Sequence, residues 1–296
     1  MTSSSIKASK LALGTVQFGL DYGVANQGGR VTAEEGQKIL SEAWRAGVDT
    51  LDTAISYGDS EATLGAIGVG NWRVVTKLPR MPDCTNDVDG WVEDQIAGSL
   101  GRLGIAQLDG LLLHYPAQVL EGAGRRLPGA LQKSKARGLV KKIGVSIYSP
   151  DELPVLLDAL DMSLIQLPLN ILDRRFIDSG WLSRISQASV EVHVRSIFLQ
   201  GLLLLAESTR PGKFDRWQPL WTEWESWLRE RELSALEACL NFVLNEKSVS
   251  KIVIGVDGVN QIRQILSLPD RNLPKPPDFL GLYDEKLINP SNWSNL

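Results

Sequence analysis

Short apolar runs alternate along this chain with longer stretches whose apolar residues recur every three or four positions. The runs LALGTVQF (11–18), VDTLDT (48–53), WRVVTK (72–77) and LDGLLLHY (108–115) read as strands. So do KKIGVSIY (141–148), SLIQLPL (163–169), VEVHVRSIFL (190–199) and VSKIVIG (249–255). Helical patterns lie between them. In AEEGQKILSEAWRAG, Ile39, Leu40, Ala43 and Trp44 form an apolar face, Thr32 and Glu35 have capping-box spacing, and Gly47 is a stop. Further helices are predicted over DSEATLGAI (59–67), DVDGWVEDQIAGSLGRLG (87–104), GALQKSKARGLV (129–140) and SPDELPVLLDAL (149–160). SGWLSRISQAS (179–189), RELSALEACLNFVLNE (231–246) and VNQIRQILS (259–267) complete the set.

Eight strand–helix units in 296 residues is the count of a (β/α)8 TIM barrel, a single α/β domain. The rival is a doubly wound open sheet. It is disfavoured because GLDYGVANQGG, after the first strand, lacks a strand–turn–helix glycine fingerprint. Two stretches exceed the bare pattern. Residues 206–227 form a Trp-rich insertion, expected to act as a lid, and 268–296 form a Pro- and Asn-rich tail, expected to be irregular.

Composition narrows the function classes. The chain is 43% hydrophobic and 22% charged with a formal net charge of -4, which argues against a general nucleic-acid surface. No apolar run approaches a membrane span of roughly 20 residues, and the N-terminal stretch lacks a signal-peptide core. Two cysteines, Cys84 and Cys239, in unrelated contexts fit reduced thiols and a cytoplasmic location. Two histidines, His114 and His193, exclude a polyhistidine metal centre, and no metal is expected.

In a barrel, the C-terminal strand ends converge on one mouth. Asp52 ends the second strand, Tyr57 follows five residues later, Lys77 closes the third and His114 the fourth. Singly, each has an ordinary reading as a cap, a packed ring, or a satisfied core polar group. Together they fit carbonyl reduction. A hydride adds to carbon and the oxygen takes a proton, for which a tyrosine is a workable acid when its phenolate is stabilised. On this reading Lys77 lowers the Tyr57 pKa, Asp52 holds Lys77 charged, and His114 donates to the carbonyl oxygen.

The segments GVDTLDTAISYGDSE, VVTK, LLLHYP and GVSIY, in this order and at barrel spacing, resemble the aldo-keto reductase superfamily over essentially the whole chain. The resemblance implies an NAD(P)H-dependent oxidoreductase that reduces an aldehyde or ketone to an alcohol. Its catalytic tetrad would be Asp52, Tyr57, Lys77 and His114, with Tyr57 as general acid. It implies a nicotinamide cofactor, NADPH in preference to NADH, held beside Gly14, Thr15 and Asp52. Ser146 and Gln166 would meet the carboxamide, with Ile147 replacing a customary asparagine. Arg195 would stack where an aromatic is common, and Leu199, Gln200 and Gly201 would run beside the pyrophosphate. Gly255, Asp257 and Gln261 fall at the adenosine end. There Asp257 replaces the usual basic or hydroxyl residue, and Arg263 or Lys251 could supply a cation. Asp21, Tyr22, Tyr57, His114, Asn170, Trp217 and Trp221 are the expected substrate contacts, and the aromatic surfaces suit a sugar or ring compound. Two other readings stand beside this one. One is a cofactor-binding regulatory protein of the same fold with little turnover. The other is a barrel lyase or isomerase with Lys77 as a Schiff base, which the neighbouring Asp52 opposes.

Overall fold

The computed structural model describes residues 6–269, 271, 273, 276–281 and 283–296; parts of the expected irregular tail therefore lie outside the described residues. Eight parallel strands close into a barrel in sequence order. They are β1 (Leu11–Gly14), β2 (Thr50–Asp52), β3 (Arg73–Leu78), β4 (Leu108–Leu113), β5 (Val140–Ser146), β6 (Leu164–Pro168), β7 (Glu191–Arg195) and β8 (Lys251–Gly255). Each sits inside or across one of the apolar runs. Two of those runs are strand only in their first part. After Gly14 the chain turns into a short 3-10 helix, Val16–Phe18, and after Arg195 it leaves the sheet for a loop.

The register explains how the mouth is assembled. Gly14 pairs with both Asp52 and Gly255, Asp52 with Val75, Lys77 with Leu112, and Ser146 with Gln166. Side chains two apart on a strand share a face. Val75 therefore lies one layer below Lys77, and Leu164 one layer below Gln166. Val75, Leu112 and Leu164 form their own buried cluster, a dry plug under the polar mouth. Outside the sheet, Leu13, Leu51, Leu78, Leu113, Val145 and Ile165 pack against the apolar faces of the surrounding helices in a single large core.

The helix Ala33–Ala46 shows how local signals and tertiary demand divide the residues. Thr32 caps it, accepting from the Glu35 N–H, and Gly47 ends it. Ile39, Leu40 and Ala43 are buried, but Trp44 is exposed and leans on Trp72 with ring centroids 5.0 Å apart. The expected capping box is only half formed. The Glu35 carboxylate does not return to Thr32; it accepts from the Val259 N–H at 2.7 Å, at the start of the helix Val259–Ser267.

The Trp-rich stretch is built into the core. It forms 3-10 turns and then the helix Gln218–Glu230. Trp217, Trp221, Trp224 and Trp227 are all buried. The Trp221 indole N–H donates to the Phe214 carbonyl at 3.0 Å, and the Arg210 guanidinium lies over its ring at 4.5 Å. The Trp217 N–H donates to Asp284 at 3.0 Å, and Phe214 meets Trp293 edge-on at 4.9 Å. The insert and the C-terminal segment thus pack on each other. Truncating Trp221 to Ala should destabilise the fold by about 3–5 kcal/mol, read as a lowered urea midpoint by circular dichroism. Protease cleavage within 206–227 should be equally slow with and without a nicotinamide dinucleotide. A cofactor-dependent change there would support the lid.

Candidate active site

A buried hydrogen-bond chain crosses the mouth. The Lys77 ammonium donates to Asp52 Oδ1 at 2.6 Å and to the Thr53 carbonyl at 2.9 Å. Asp52 Oδ2 accepts from Gln166 Nε2 at 2.6 Å, and Ser146 Oγ donates to Gln166 Oε1 at 3.3 Å. Lys77 and Asp52 are 1% and 4% exposed, so each charge depends on the other and on these amide and carbonyl partners. The ammonium also lies over the Tyr57 ring, 5.1 Å from its centroid.

The loop carrying Tyr57 is pinned from both sides. Gly19 passes so close beneath it that a Cβ there would sit 1.8 Å from the Tyr57 carbonyl oxygen, so only glycine fits. The next helix, Ser60–Ile67, is anchored through its first two residues. Ser60 Oγ donates to the Thr15 carbonyl at 2.8 Å. The buried Glu61 accepts from Thr76 Oγ1 and Ser99 Oγ at 2.6 Å each and from Arg102 Nε at 2.8 Å. The Tyr57 and His114 rings meet edge-on with centroids 5.9 Å apart, and His114 Nδ1 is 3.3 Å from Ser56 Oγ.

The electrostatics depart from the expected roles in one respect. Burial, then the Asp52 carboxylate, push the Tyr57 hydroxyl above the ordinary tyrosine value, and Arg195 is the cation that pulls it down. Lys77, the expected lowering charge, is bonded directly to Asp52. Burial pulls the Lys77 ammonium below its ordinary value against that same carboxylate. Burial, then Lys77 and Arg195, lower His114 to about 4, so its ring is neutral near pH 7.

A cavity of about 330 Å³ opens from this chain, lined by Asp52, Tyr57 and His114 with Ser146, Gln166 and Arg195. Gly14, Thr15, Tyr22, Gln200 and Gly201 line it further out, and Gly255, Asp257 and Gln261 lie along β8 and the helix after it. Lys77 stands behind Asp52 and does not line the cavity. The structure does not bring the remaining expected residues to it. Trp217 and Trp221 are committed to the packing above. Asn170 is buried in the following loop, donating to the Ser196 carbonyl at 3.1 Å and accepting from the Leu172 and Asp173 N–H groups at 2.9 Å. Leu199 is buried in the core, and Asp21 is exposed outside the lining. Residues not foreseen include Gln17, Asn26, Tyr148 and Gln264. Tyr148 was within reach of the sequence argument, as the last residue of GVSIY. The Arg195 guanidinium stacks on its ring at 4.1 Å and donates to the Ile147 carbonyl at 3.0 Å. Over the outer cavity Gln200 Nε2 donates to the Tyr22 hydroxyl at 3.0 Å, tying the loops after β1 and β7.

Residues 10–280 match the model of the aldo/keto reductase family. The chain belongs to the aldo/keto reductase family. Among curated proteins it is similar to the D-threo-aldose 1-dehydrogenase of a Pseudomonas species, 27% identical over 88% of this chain and 92% of that one. It is 31% identical to an aldo-keto reductase of Mycobacterium avium, a match spanning 48% of each chain. An aldo-keto reductase of Bacillus halodurans shares the fold. Its apo form superposes with a TM-score of 0.69 at 19% identity, covering 93% of this chain and 94% of that one. Its holo form superposes at 0.68 and 21% identity, covering 87% and 85%. The fold of this aldo/keto reductase is therefore that of NAD(P)H-dependent oxidoreductases.

Replacing Asp52 by Asn should leave the Lys77 ammonium buried without its counter-ion and lower the unfolding free energy by about 3–5 kcal/mol. The double change Asp52→Asn/Lys77→Met removes the orphaned charge and should recover part of that loss. Urea denaturation of the two variants checks the sign. A double variant less stable than the single one would mean the pair is not the unit described.

Proposed function

We propose that this chain catalyses nicotinamide-dependent interconversion of a carbonyl compound and its alcohol, with Tyr57 as the proton donor in reduction. The observation that carries the reading is the arrangement of Tyr57 and His114 on one cavity, backed by the buried Lys77–Asp52–Gln166–Ser146 chain. The cavity also suits the dinucleotide. Ser146, Gln166 and Arg195 would hold the nicotinamide half. Gln200 and Gly201 would face the pyrophosphate, and Gly255, Asp257 and Gln261 the adenosine. Two buried acceptors without partners, Gln17 Oε1 and Asp257 Oδ1, mark that last end as one that lacks a ligand's donors or a turned amide.

When bound, the reduced cofactor supplies the hydride. The protein's own groups do the rest. Tyr57 keeps its proton at neutral pH and delivers it to the carbonyl oxygen as negative charge develops there. With Ser56 donating to Nδ1, the neutral His114 ring carries its proton on Nε2 and can orient the same oxygen. Lys77 fixes the Tyr57 ring from behind, and Asp52 fixes Lys77. The substrate would sit between Tyr57, His114, Tyr148 and Tyr22. The name of the Pseudomonas relative points to an aldose, and a wall of aromatic faces with a few polar groups suits a sugar ring.

Tyr57→Phe should nearly abolish hydride transfer, with cofactor affinity within about threefold of wild type. Single-turnover oxidation of bound reduced cofactor at saturating aldehyde measures the first, and a fluorescence titration the second. A variant that retains wild-type turnover would sink the assignment. In the wild type the same rate should be flat between about pH 5 and pH 9, because His114 is already neutral and Tyr57 is still protonated across that range. It should fall at higher pH as Tyr57 loses its proton.

A further inference from the structure

The cavity's adenosine end has an acidic build. Asp257 follows β8, and its carboxylate lines the cavity beside Gln261, whose Oε1 accepts from the Asp257 N–H at 2.8 Å. Gln261 Nε2 lies 3.5 Å from Asp257 Oδ2. On the other side Gln17 packs onto Gly255 so closely that a Cβ there would be 2.6 Å from Gln17 Nε2. Gln17 Oε1 and Asp257 Oδ1 are both buried acceptors without a donor. Amide oxygen and nitrogen exchange places in a flip, so turning Gln17 over aims its NH2 at the carboxylate. Oδ2 then remains as the acceptor for a ligand.

The start of the helix Val259–Ser267 is the natural place for a phosphate, since its first N–H groups are free to bind an anion. Here two of the first three are taken: the Gln261 N–H donates to the Gly258 carbonyl at 3.1 Å, and the Val259 N–H donates to Glu35 Oε1 at 2.7 Å. Asp257 sits two residues before that helix begins, and Asp21 is near enough to raise the Asp257 pKa further, after burial. Asp257 therefore lines this end, with Glu35 bonded at the helix start and Asp21 close enough to act on Asp257.

Among the described residues, the neighbouring cations are paired elsewhere. Arg263 pairs with Glu42 at 2.8 Å and does not line the cavity. Lys38 is held by Glu34 at 2.8 Å and by Glu35 at 3.8 Å on its own helix. Arg30 pairs with Asp59 at 3.0 Å. Lys251 is at the opposite end of β8, bonded to Asp49 at 2.6 Å and to the Ser9 carbonyl at 2.7 Å. Among the described residues that line the cavity, the cation is Arg195, and it is stacked on Tyr148 at the reaction end.

We propose that this end is built for an unmodified ribose diol, with Asp257 accepting from a ribose hydroxyl, so that the cofactor is the unphosphorylated dinucleotide, NADH/NAD+. A 2′-phosphate would meet the Asp257 carboxylate where, among the described residues, no lysine or arginine lines this end of the cavity, whereas a diol offers Oδ2 a donor. This runs against the preference for NADPH that the family resemblance implies. It rests on the dinucleotide-binding reading of the cavity.

The test is the dissociation constants of NADH and NADPH, measured by tryptophan fluorescence and calorimetry without substrate, for the wild type, Asp257→Ser and Asp257→Asn. The wild type should bind NADH at least about tenfold tighter, a difference of about 1.4 kcal/mol. Asp257→Ser should move the ratio toward NADPH by about tenfold, chiefly by strengthening NADPH, and Asp257→Asn should do so with the side-chain volume kept. Equal affinities in the wild type, or tighter NADPH, would overturn the inference and leave the reductase reading standing. An NADH preference that neither variant alters would overturn the role of Asp257. Failure of both dinucleotides to bind would overturn the cofactor reading itself and this inference with it. Unchanged melting temperatures in the variants establish that the affinities compare folded proteins.

Discussion

The contact on which the mouth of this barrel depends is the buried ion pair between Lys77 and Asp52. Taking both charges out of water is expensive, and their attraction offsets that only when the remaining lone pairs and protons are also used. They are used here. Asp52 presents one oxygen to Lys77 and the other to Gln166, while Lys77 gives a second proton to the Thr53 carbonyl. The pair links β2, β3 and β6 across the barrel interior, above the apolar plug of Val75, Leu112 and Leu164. Because the partners are fixed by strands, or in the case of Thr53 by the residue directly after β2, the pair is held at one geometry. Tyr57, on a loop, takes its position from it and from the Gly19 and Ser60 contacts below.

Much of this was legible in the chain before any coordinates. The eight strands were, because each is a short branched-aliphatic run between helical patterns, and register then follows from closing the barrel. Asp52, Tyr57, Lys77 and His114 were, because barrel topology puts the ends of β2, β3 and β4 side by side whatever the helices do. What was not legible depends on which partner each side chain takes, several of them far apart in sequence. Trp217 and Trp221 look like pocket aromatics until Asp284 and Phe214 claim their N–H groups. Asn170 looks like a mouth residue until its amide is spent on Ser196, Leu172 and Asp173. Glu35 has capping-box spacing, yet a partner 224 positions away outcompetes its own helix. Periodicity and local spacing carry no information about such choices.

The cavity has opposite electrostatic ends, and the two ends solve different problems. At the reaction end Arg195 would add positive field to a developing oxyanion on the proposed reading, and its stacking on Tyr148 holds the planar guanidinium in place. At the far end Asp257 lines the cavity, and among the described residues no lysine or arginine lines it there. A uniform basic cavity would attract any anion. On the proposed reading this division keeps positive charge at the reacting carbonyl.

The raised Tyr57 pKa bears on direction as well as on mechanism. A site that reduces a carbonyl with a protonated tyrosine must, by microscopic reversibility, oxidise the alcohol with the phenolate. Burial and Asp52 both disfavour that phenolate, and Arg195 favours it. Near pH 7 the protonated form dominates, so the side chain is poised for reduction. The oxidation of an alcohol or aldose gains only as rising pH brings the phenolate in. On the proposed reading Arg195 is the residue through which the two directions are balanced: it would favour the negative oxygen on the substrate in one and the negative oxygen on Tyr57 in the other, from its single position over Tyr148.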